Sequence, residues 1–221
     1  MGVVSYQDGE TIGAVTRALR DGVASRFAGV DSRFILADTG SGDGTAARAR
    51  DALAGSGQLV EVPVFRSTAD LLEVPYHGIP GKARALHAIL TAARDLDARA
   101  CVLFDASVSS VTPEWVEWLA RPVLDHGFDF VAPYYHRRPF EGALTKGVVY
   151  PLVSALYGVR LRQPAAAEFA CSGPLVDHLL ADDLWDRDGT QAGIDLWLSI
   201  SATSGDFRLG EAALGVRAHH P

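Results

Sequence analysis

Short apolar runs alternate along the chain with stretches in which apolar positions recur every three or four residues. The first kind reads as buried strand and the second as amphipathic helix. Strands are predicted over residues 3–5, 33–37, 59–64, 100–104 and 128–132. A helix is predicted from about Glu10, with Ile12, Val15, Leu19 and Val23 at helical spacing, and another over 45–54. A third spans 81–93, its stripe made by Ala85, Leu86, Ile89, Leu90 and Ala93. Pro113 opens a fourth over 113–119, since proline suits the first turn of a helix. Strand followed by helix, repeated, predicts an α/β fold: a mostly parallel central sheet with helices on both faces.

After Tyr135 the pattern changes. A basic loop, YYHRRPFEG, leads into an apolar helix carrying Val148, Leu152 and Leu156. The segment RQPAAAEFACSG reads as a loop, with a short helix from Pro174, a helix over GIDLWLSISAT and terminal strands in FRLGEAALGVRAHHP. The stretch 66–80, punctuated by Pro75, Gly78 and Pro80, is long for a connection and reads either as a functional loop or as a surface excursion. No repeat or linker divides the sequence, so a single domain over 1–221 is expected.

Composition narrows the function. The 221 residues carry a formal charge of -7, which disfavours nucleic acid or an anionic membrane as partner. No apolar run is long enough to span a bilayer, and MGVVSYQDGE lacks the basic and apolar regions of a secretory signal. The two cysteines, Cys101 and Cys171, read as small core residues, and the pattern fits a reducing cytoplasmic setting.

Chemistry concentrates at strand ends. The strand ending in Ala37 runs into Asp38, then a loop of Gly, Ser and Asp, then a helix start. A carboxylate there can accept from a base or ribose, and the helix start favours anionic oxygens. The strand ACVLF runs likewise into Asp105, Ala106 and Ser107, so one ligand bridging both ends is expected. GSGDGT lacks the third glycine of a dinucleotide fingerprint, and HGIPGKAR has Ala83 where a phosphate-binding loop needs Ser or Thr.

The motifs VVSYQDGETIG, LADTGSGDGT, GIPGKARAL, FDAS, RQPAAAEF and GVRAHHP stand in the order found in nucleotide-sugar glycosyltransferases of the GT-A fold. The chain resembles the glucosyl-3-phosphoglycerate synthase and mannosylglycerate synthase group over nearly its whole length. The resemblance implies a Rossmann-like sheet, a nucleotide-sugar-binding half (1–135) and an acceptor-binding half (136–221). It implies that Ser5, Tyr6 and Gln7 cradle the base, and that Asp38 and Ser41 contact the nucleotide. Lys82 matches a lysine on the donor diphosphate, a role its chemistry suits; a solvated first-turn lysine is the alternative.

Asp105, Ala106 and Ser107 stand where the family has D-x-D, so a serine replaces the second, metal-binding carboxylate. With His219 as third ligand (His220 adjacent), the resemblance implies Mg²⁺ or Mn²⁺ held weakly by Asp105, Ser107 and His219. It also implies that Thr145, Ala166, Ala167, Glu168 and Asp195 face the acceptor. Ala166 and Ala167 replace glycines, which implies another path for that loop. Glu168 either contacts a substrate hydroxyl or pairs with Arg137 or Arg138. Asp195 either faces the cleft or pairs structurally. The arginine that meets the acceptor phosphate in the phosphoglycerate enzymes is Ala143 here. That points away from a phosphorylated acceptor unless Arg137, Arg138 or Lys146 compensates.

The implied reaction moves a hexose from a UDP- or GDP-sugar to a small hydroxy acid or similar polar acceptor, with retention. Lys82, Asp105 and Glu168 are its candidate catalytic residues, and a homodimer is implied. Ser107, Ala166 and Ala167 also fit a second expectation, a non-catalytic or degraded nucleotide-sugar-binding domain.

Overall fold

The computed structural model describes residues 1–54, 58–64, 79–136, 141–186 and 193–218. The long segment 66–80 therefore lies mostly outside the described residues, as do Arg137, Arg138, His219 and His220. Seven strands form one sheet in the order β3-β2-β1-β4-β6-β5-β7. They are β1 (Gly2–Ser5), β2 (Phe34–Asp38), β3 (Leu59–Glu61), β4 (Ala100–Asp105), β5 (Phe130–Tyr135), β6 (Phe169–Ser172) and β7 (Leu209–Gly215). Strands β3, β2, β1 and β4 run parallel, as do β5 and β7; β6 lies antiparallel to both β4 and β5.

The sheet has helices on both faces, as the alternating pattern predicts. Val3, Phe34, Leu36, Val102 and Phe104 pack on one face against α1 (Ile12–Arg26), α2 (Thr45–Ala52) and α4 (Pro113–His126). Their neighbours Val4, Ile35, Ala37, Cys101 and Leu103 pack on the other against α3 (Lys82–Asp95), α6 (Gly173–Leu180) and α7 (Ile194–Ser204). Successive residues of a strand point to opposite faces, so strands buried on both sides read as continuous apolar runs. Gly2 opens β1 because a Cβ there would come within 2.4 Å of Ile89, so α3 lies tight on the sheet. The remaining helix, α5 (Tyr150–Tyr157), follows a π-helical turn, Thr145–Val149.

Several boundaries differ from the sequence expectation. Strand β6 occupies part of the segment read as a loop, RQPAAAEFACSG. Its four residues, FACS, are all buried and too few to show a period. Strand β5 begins two residues later than expected and continues to Tyr135, while the C-terminal segment contributes one described strand, β7. Cys101 and Cys171 stand opposite each other across β4 and β6, both free thiols and both buried. Among the described residues no helix is long and apolar enough to cross a membrane.

Candidate active site

The carboxyl ends of three adjacent parallel strands make the floor of the site. Ser5, the last residue of β1, is in register with Asp38 of β2, and Val4 is in register with Asp105 of β4. The two carboxylates predicted to bridge one ligand thus flank the same strand end, where ligands gather in open α/β sheets.

Asp38 proves to be an organiser. Its Oδ1 accepts the Gly40 and Ser41 amides at 2.8 and 2.7 Å. Its Oδ2 accepts the Ser5 and Ser41 hydroxyls at 3.0 and 2.7 Å. A carboxylate has about four lone-pair sites, so Asp38 is already satisfied. The Gln7 amide donates to Ser41 Oγ at 2.8 Å, and Gln7 Oε1 accepts the Gly42 amide at 3.1 Å. This stitches the β1–α1 and β2–α2 loops into one wall. Gln7 holds φ 56, left-handed backbone unusual for a residue with a side chain.

Asp8, which the sequence reading passed over, lies behind this wall. Its Oδ2 accepts the Tyr6 amide at 2.9 Å. Burial pushes its carboxyl up to about 6; the Tyr6 amide works against this, and the charges of Asp105, Asp43 and Asp38 add to it.

Opposite stands the start of α3. Gly81 takes φ 71 to turn the chain into the helix, a conformation glycine adopts without penalty. Lys82 follows at the first helical position, where a cation opposes the helix dipole. Its ammonium meets Asp195 Oδ2 at 2.5 Å. Burial alone would lower the Lys82 pKa, but Asp195, Asp105 and Glu168 outweigh it and hold it raised. That coupling gathers Lys82, Asp105, Glu168 and Asp195 into one electrostatic cluster. Asp195 sits in the first turn of α7, where its charge suits the dipole. Its Oδ1 is buried with no hydrogen-bond partner among the described residues.

Glu168 is fully buried. The predicted arginine partners lie outside the described residues, and the partner found is Arg217. Its Nε and one terminal nitrogen donate to the two Glu168 oxygens at 3.1 and 2.8 Å. The Tyr135 hydroxyl donates to Glu168 Oε2 at 2.5 Å. Burial first, then the neighbouring Glu168 carboxylate, raise the Tyr135 pKa far above that of an ordinary phenol. Arg217 also couples to Asp105, which joins this buried triad to the cluster. Sequence reading missed Tyr135 and Arg217 because nothing local marks a long-range partner.

The remaining predicted residues divide. Ala106 is buried and its amide continues the ladder to Val4, so it presents no free donor. Thr145 lies half-buried in the π turn, its hydroxyl without a hydrogen bond among the described residues. Ala166 and Ala167 are half-buried just before Glu168, and neither adopts positive φ. The Ser107 amide and hydroxyl both donate to Asp105 Oδ1, at 2.9 and 2.8 Å. Among the described residues no group of three His, Cys, Asp or Glu side chains is placed to hold a metal. Asp105 and Ser107 bring one carboxylate and one hydroxyl, and the expected third ligand, His219, lies outside the described residues. Since a hard divalent cation takes six or more oxygens, Mg²⁺ or Mn²⁺ held here would draw most of its ligands from a bound diphosphate and water.

No protein-family model and no curated protein matches the sequence. Solved structures do match over its full length. Glucosyl-3-phosphoglycerate synthase from Mycobacterium tuberculosis, in complex with phosphoglyceric acid, superposes with a TM-score of 0.73 at 26% identity, covering 100% of this chain and 71% of that one. The same enzyme with Mg²⁺ and UDP gives 0.72 at 27% identity, covering 100% and 70%. With Mn²⁺, UDP-glucose and phosphoglyceric acid it gives 0.71 at 26%, covering 100% and 71%. The chain has the GT-A fold. Its single antiparallel strand, β6, belongs to that GT-A sheet, and the site described above lies at the carboxyl edge of the parallel strands.

Proposed function

We infer that the chain is a hexosyltransferase. It takes a UDP-sugar, with a GDP-sugar as the second choice, and moves the hexose to a small hydroxy-acid or similar polar acceptor with retention of configuration. The observation that carries this reading is the half-buried cation Lys82, held at a helix start where it couples to Asp105 at the end of β4. Two further facts support it: the likeness to a synthase solved with UDP-glucose and phosphoglyceric acid, and the unpartnered Asp195 Oδ1.

The chemistry follows from the placement. The nucleoside lies against the Tyr6–Gln7 and Ser41 wall, with Asp38 bracing the loop. The diphosphate reaches the α3 start, where Lys82 exchanges part of its contact with Asp195 for the departing phosphate oxygens. A preorganised cation in a partly dry site stabilises developing negative charge there. Asp195 Oδ1 accepts from a hydroxyl of the transferred sugar, which satisfies the orphaned atom. Glu168 is a positioning residue, because it is enclosed and acts through Arg217 and Tyr135. The acceptor lies along Thr145, Ala166 and Ala167. No described carboxylate is both open and free of its neighbours to serve as a nucleophile, so catalysis is leaving-group stabilisation and positioning. No step is assigned to a metal ion.

The test is incubation with UDP-glucose or GDP-mannose, Mn²⁺ and a panel of hydroxy acids, with and without phosphate. Acceptor-dependent release of nucleoside diphosphate is expected. Nucleotide binding with no turnover for any acceptor would favour a non-catalytic binding domain, the reading that Ser107 motivates.

A further inference from the structure

On the face of the sheet away from α3, helices α1 and α2 border a groove of about 620 Å³. One stripe of α1, with the turn before it, lines one side. Gly9, Gly13, Arg17 and Arg20 recur there at the spacing of a single helical face, and Arg48 reaches them from α2. The two glycines leave backbone bare where two guanidiniums lie. A Cβ on Gly9 would come within 2.7 Å of Arg48 Nη1, and one on Gly13 within 3.4 Å of Arg17 Nη1. Gly9 is buried, whereas both arginines are exposed. Arg20 already pairs with Asp21 and donates to the Ala52 carbonyl at 2.8 Å. Among the described residues neither the Arg17 nor the Arg48 guanidinium has a hydrogen-bond or ion-pair partner. Glu10 and Asp51 add two exposed carboxylates to the lining.

We propose that this groove is a second ligand site, for a small soluble phosphate ester rich in hydroxyl groups, of the sugar phosphate class. The planar fork of a guanidinium matches the oxygens of a phosphate, so Arg17 and Arg48 grip that group over the bare strip of backbone. Glu10 and Asp51 accept hydroxyls of the carbon skeleton. The same carboxylates repel a bare anion and favour one that brings donors, which gives the site its selectivity. The volume falls within the range of about 300–1,000 Å³ usual for small-molecule sites. None of the exposed large apolar side chains lines the groove, so nothing beside it enters a bilayer, and a free ester fits better than a lipid headgroup. Gly9 ties the groove to the cleft, because its amide donates to Asp43 Oδ2 at 2.7 Å in the loop after β2. An occupied groove thereby braces the wall assigned above to the nucleoside. That consequence rests on the transferase reading, whereas the binding does not.

Calorimetric titration with glucose 6-phosphate, glucose and inorganic phosphate tests the proposal. The wild type should bind glucose 6-phosphate with a Kd on the order of 0.1–1 mM, and both glucose and inorganic phosphate several-fold more weakly. Arg17→Gln combined with Arg48→Gln should weaken the ester at least tenfold. Neither side chain holds a bond in the fold, so the melting temperature should stay within about two degrees. The Lys82→Met, Asp195→Leu chain should bind the ester as the wild type does, since its changes lie in the cleft. No saturable binding by the wild type overturns the proposal, as does binding that survives in the double arginine variant. Loss of binding in the Lys82→Met, Asp195→Leu chain overturns it too, by placing the ester in the cleft. So does a chain that ignores the free ester yet sediments with phosphatidylcholine vesicles carrying phosphatidylinositol phosphate. Inorganic phosphate bound as tightly as the ester overturns the assigned class.

Discussion

Lys82 and Asp195, separated by 113 positions, meet at 2.5 Å and join the start of α3 to the start of α7. Removing one partner leaves the other charge poorly solvated, so Lys82→Ala alone lowers stability by about 2 kcal/mol as well as removing the cation. The paired variant Lys82→Met with Asp195→Leu separates the two effects. Apolar residues of similar size should return the melting temperature to within a few degrees of wild type. Turnover should stay at least a hundredfold down, because the leaving group has lost its counter-charge. A paired variant that recovers both stability and turnover would show that the ion pair only supports the fold.

Glu168 should behave as a structural anchor. Glu168→Ala strands Arg217 and Tyr135 without their shared acceptor, and a loss of about 3–5 kcal/mol is expected by chemical denaturation. Tyr135→Phe removes the hydroxyl and its hydrogen bonds to Glu168 and Arg217, and should cost about 1–2 kcal/mol. If Glu168 instead touched substrate directly, Glu168→Ala would abolish transfer with little change in the denaturation midpoint.

Asp8 predicts a pH dependence of donor binding. Its carboxyl is raised to about 6, so it is mostly ionised at pH 7.5 and mostly neutral at pH 5.5. Its negative charge adds to those of Asp38, Asp43 and Asp105 and opposes an anionic diphosphate. Protonation therefore favours binding, and UDP-glucose, whose diphosphate does not titrate in this window, should bind several-fold more tightly at pH 5.5. Asp8→Asn should bind as tightly at both values. Calorimetric titration at the two pH values measures this, and a pH-independent wild type would remove Asp8 from the account.

Ser107 predicts weak metal binding. The structures of the mycobacterial synthase contain Mn²⁺ or Mg²⁺ together with UDP. In this chain a hydroxyl stands at the position of the expected second carboxylate. Ser107→Asp should tighten Mn²⁺ binding in the presence of UDP by about tenfold or more, since charge count sets affinity for hard cations. Calorimetry with the metal as titrant decides it, independently of turnover.

Much of this was legible in the sequence. Strands β1, β2 and β4 carry enough apolar residues to declare themselves, and Asp38 and Asp105 follow because a strand end fixes where the next side chain stands. Lys82 was singled out by the family resemblance, with which a cation placed against the helix dipole agrees. Strand β6 was not legible, because four buried residues carry no period and its pairing with β4 comes from a strand far away in sequence. For the same reason Glu168 was recognised without its Arg217 partner, while Arg137 and Arg138 lie outside the described residues. Which cation neutralises a buried acid depends on the three-dimensional path of β7 and the residues after it. The π turn at Thr145 was hidden too, since TKGVV carries no signal that separates it from an α-helix.

The central claim is that Lys82 grips the diphosphate of an activated sugar. Titrating UDP into wild type and into the Lys82→Met, Asp195→Leu variant tests it most directly. Saturable binding to the wild type and at least tenfold weaker binding to the variant at equal stability are expected. Equal affinity for both chains, or no UDP binding by the wild type, would contradict it.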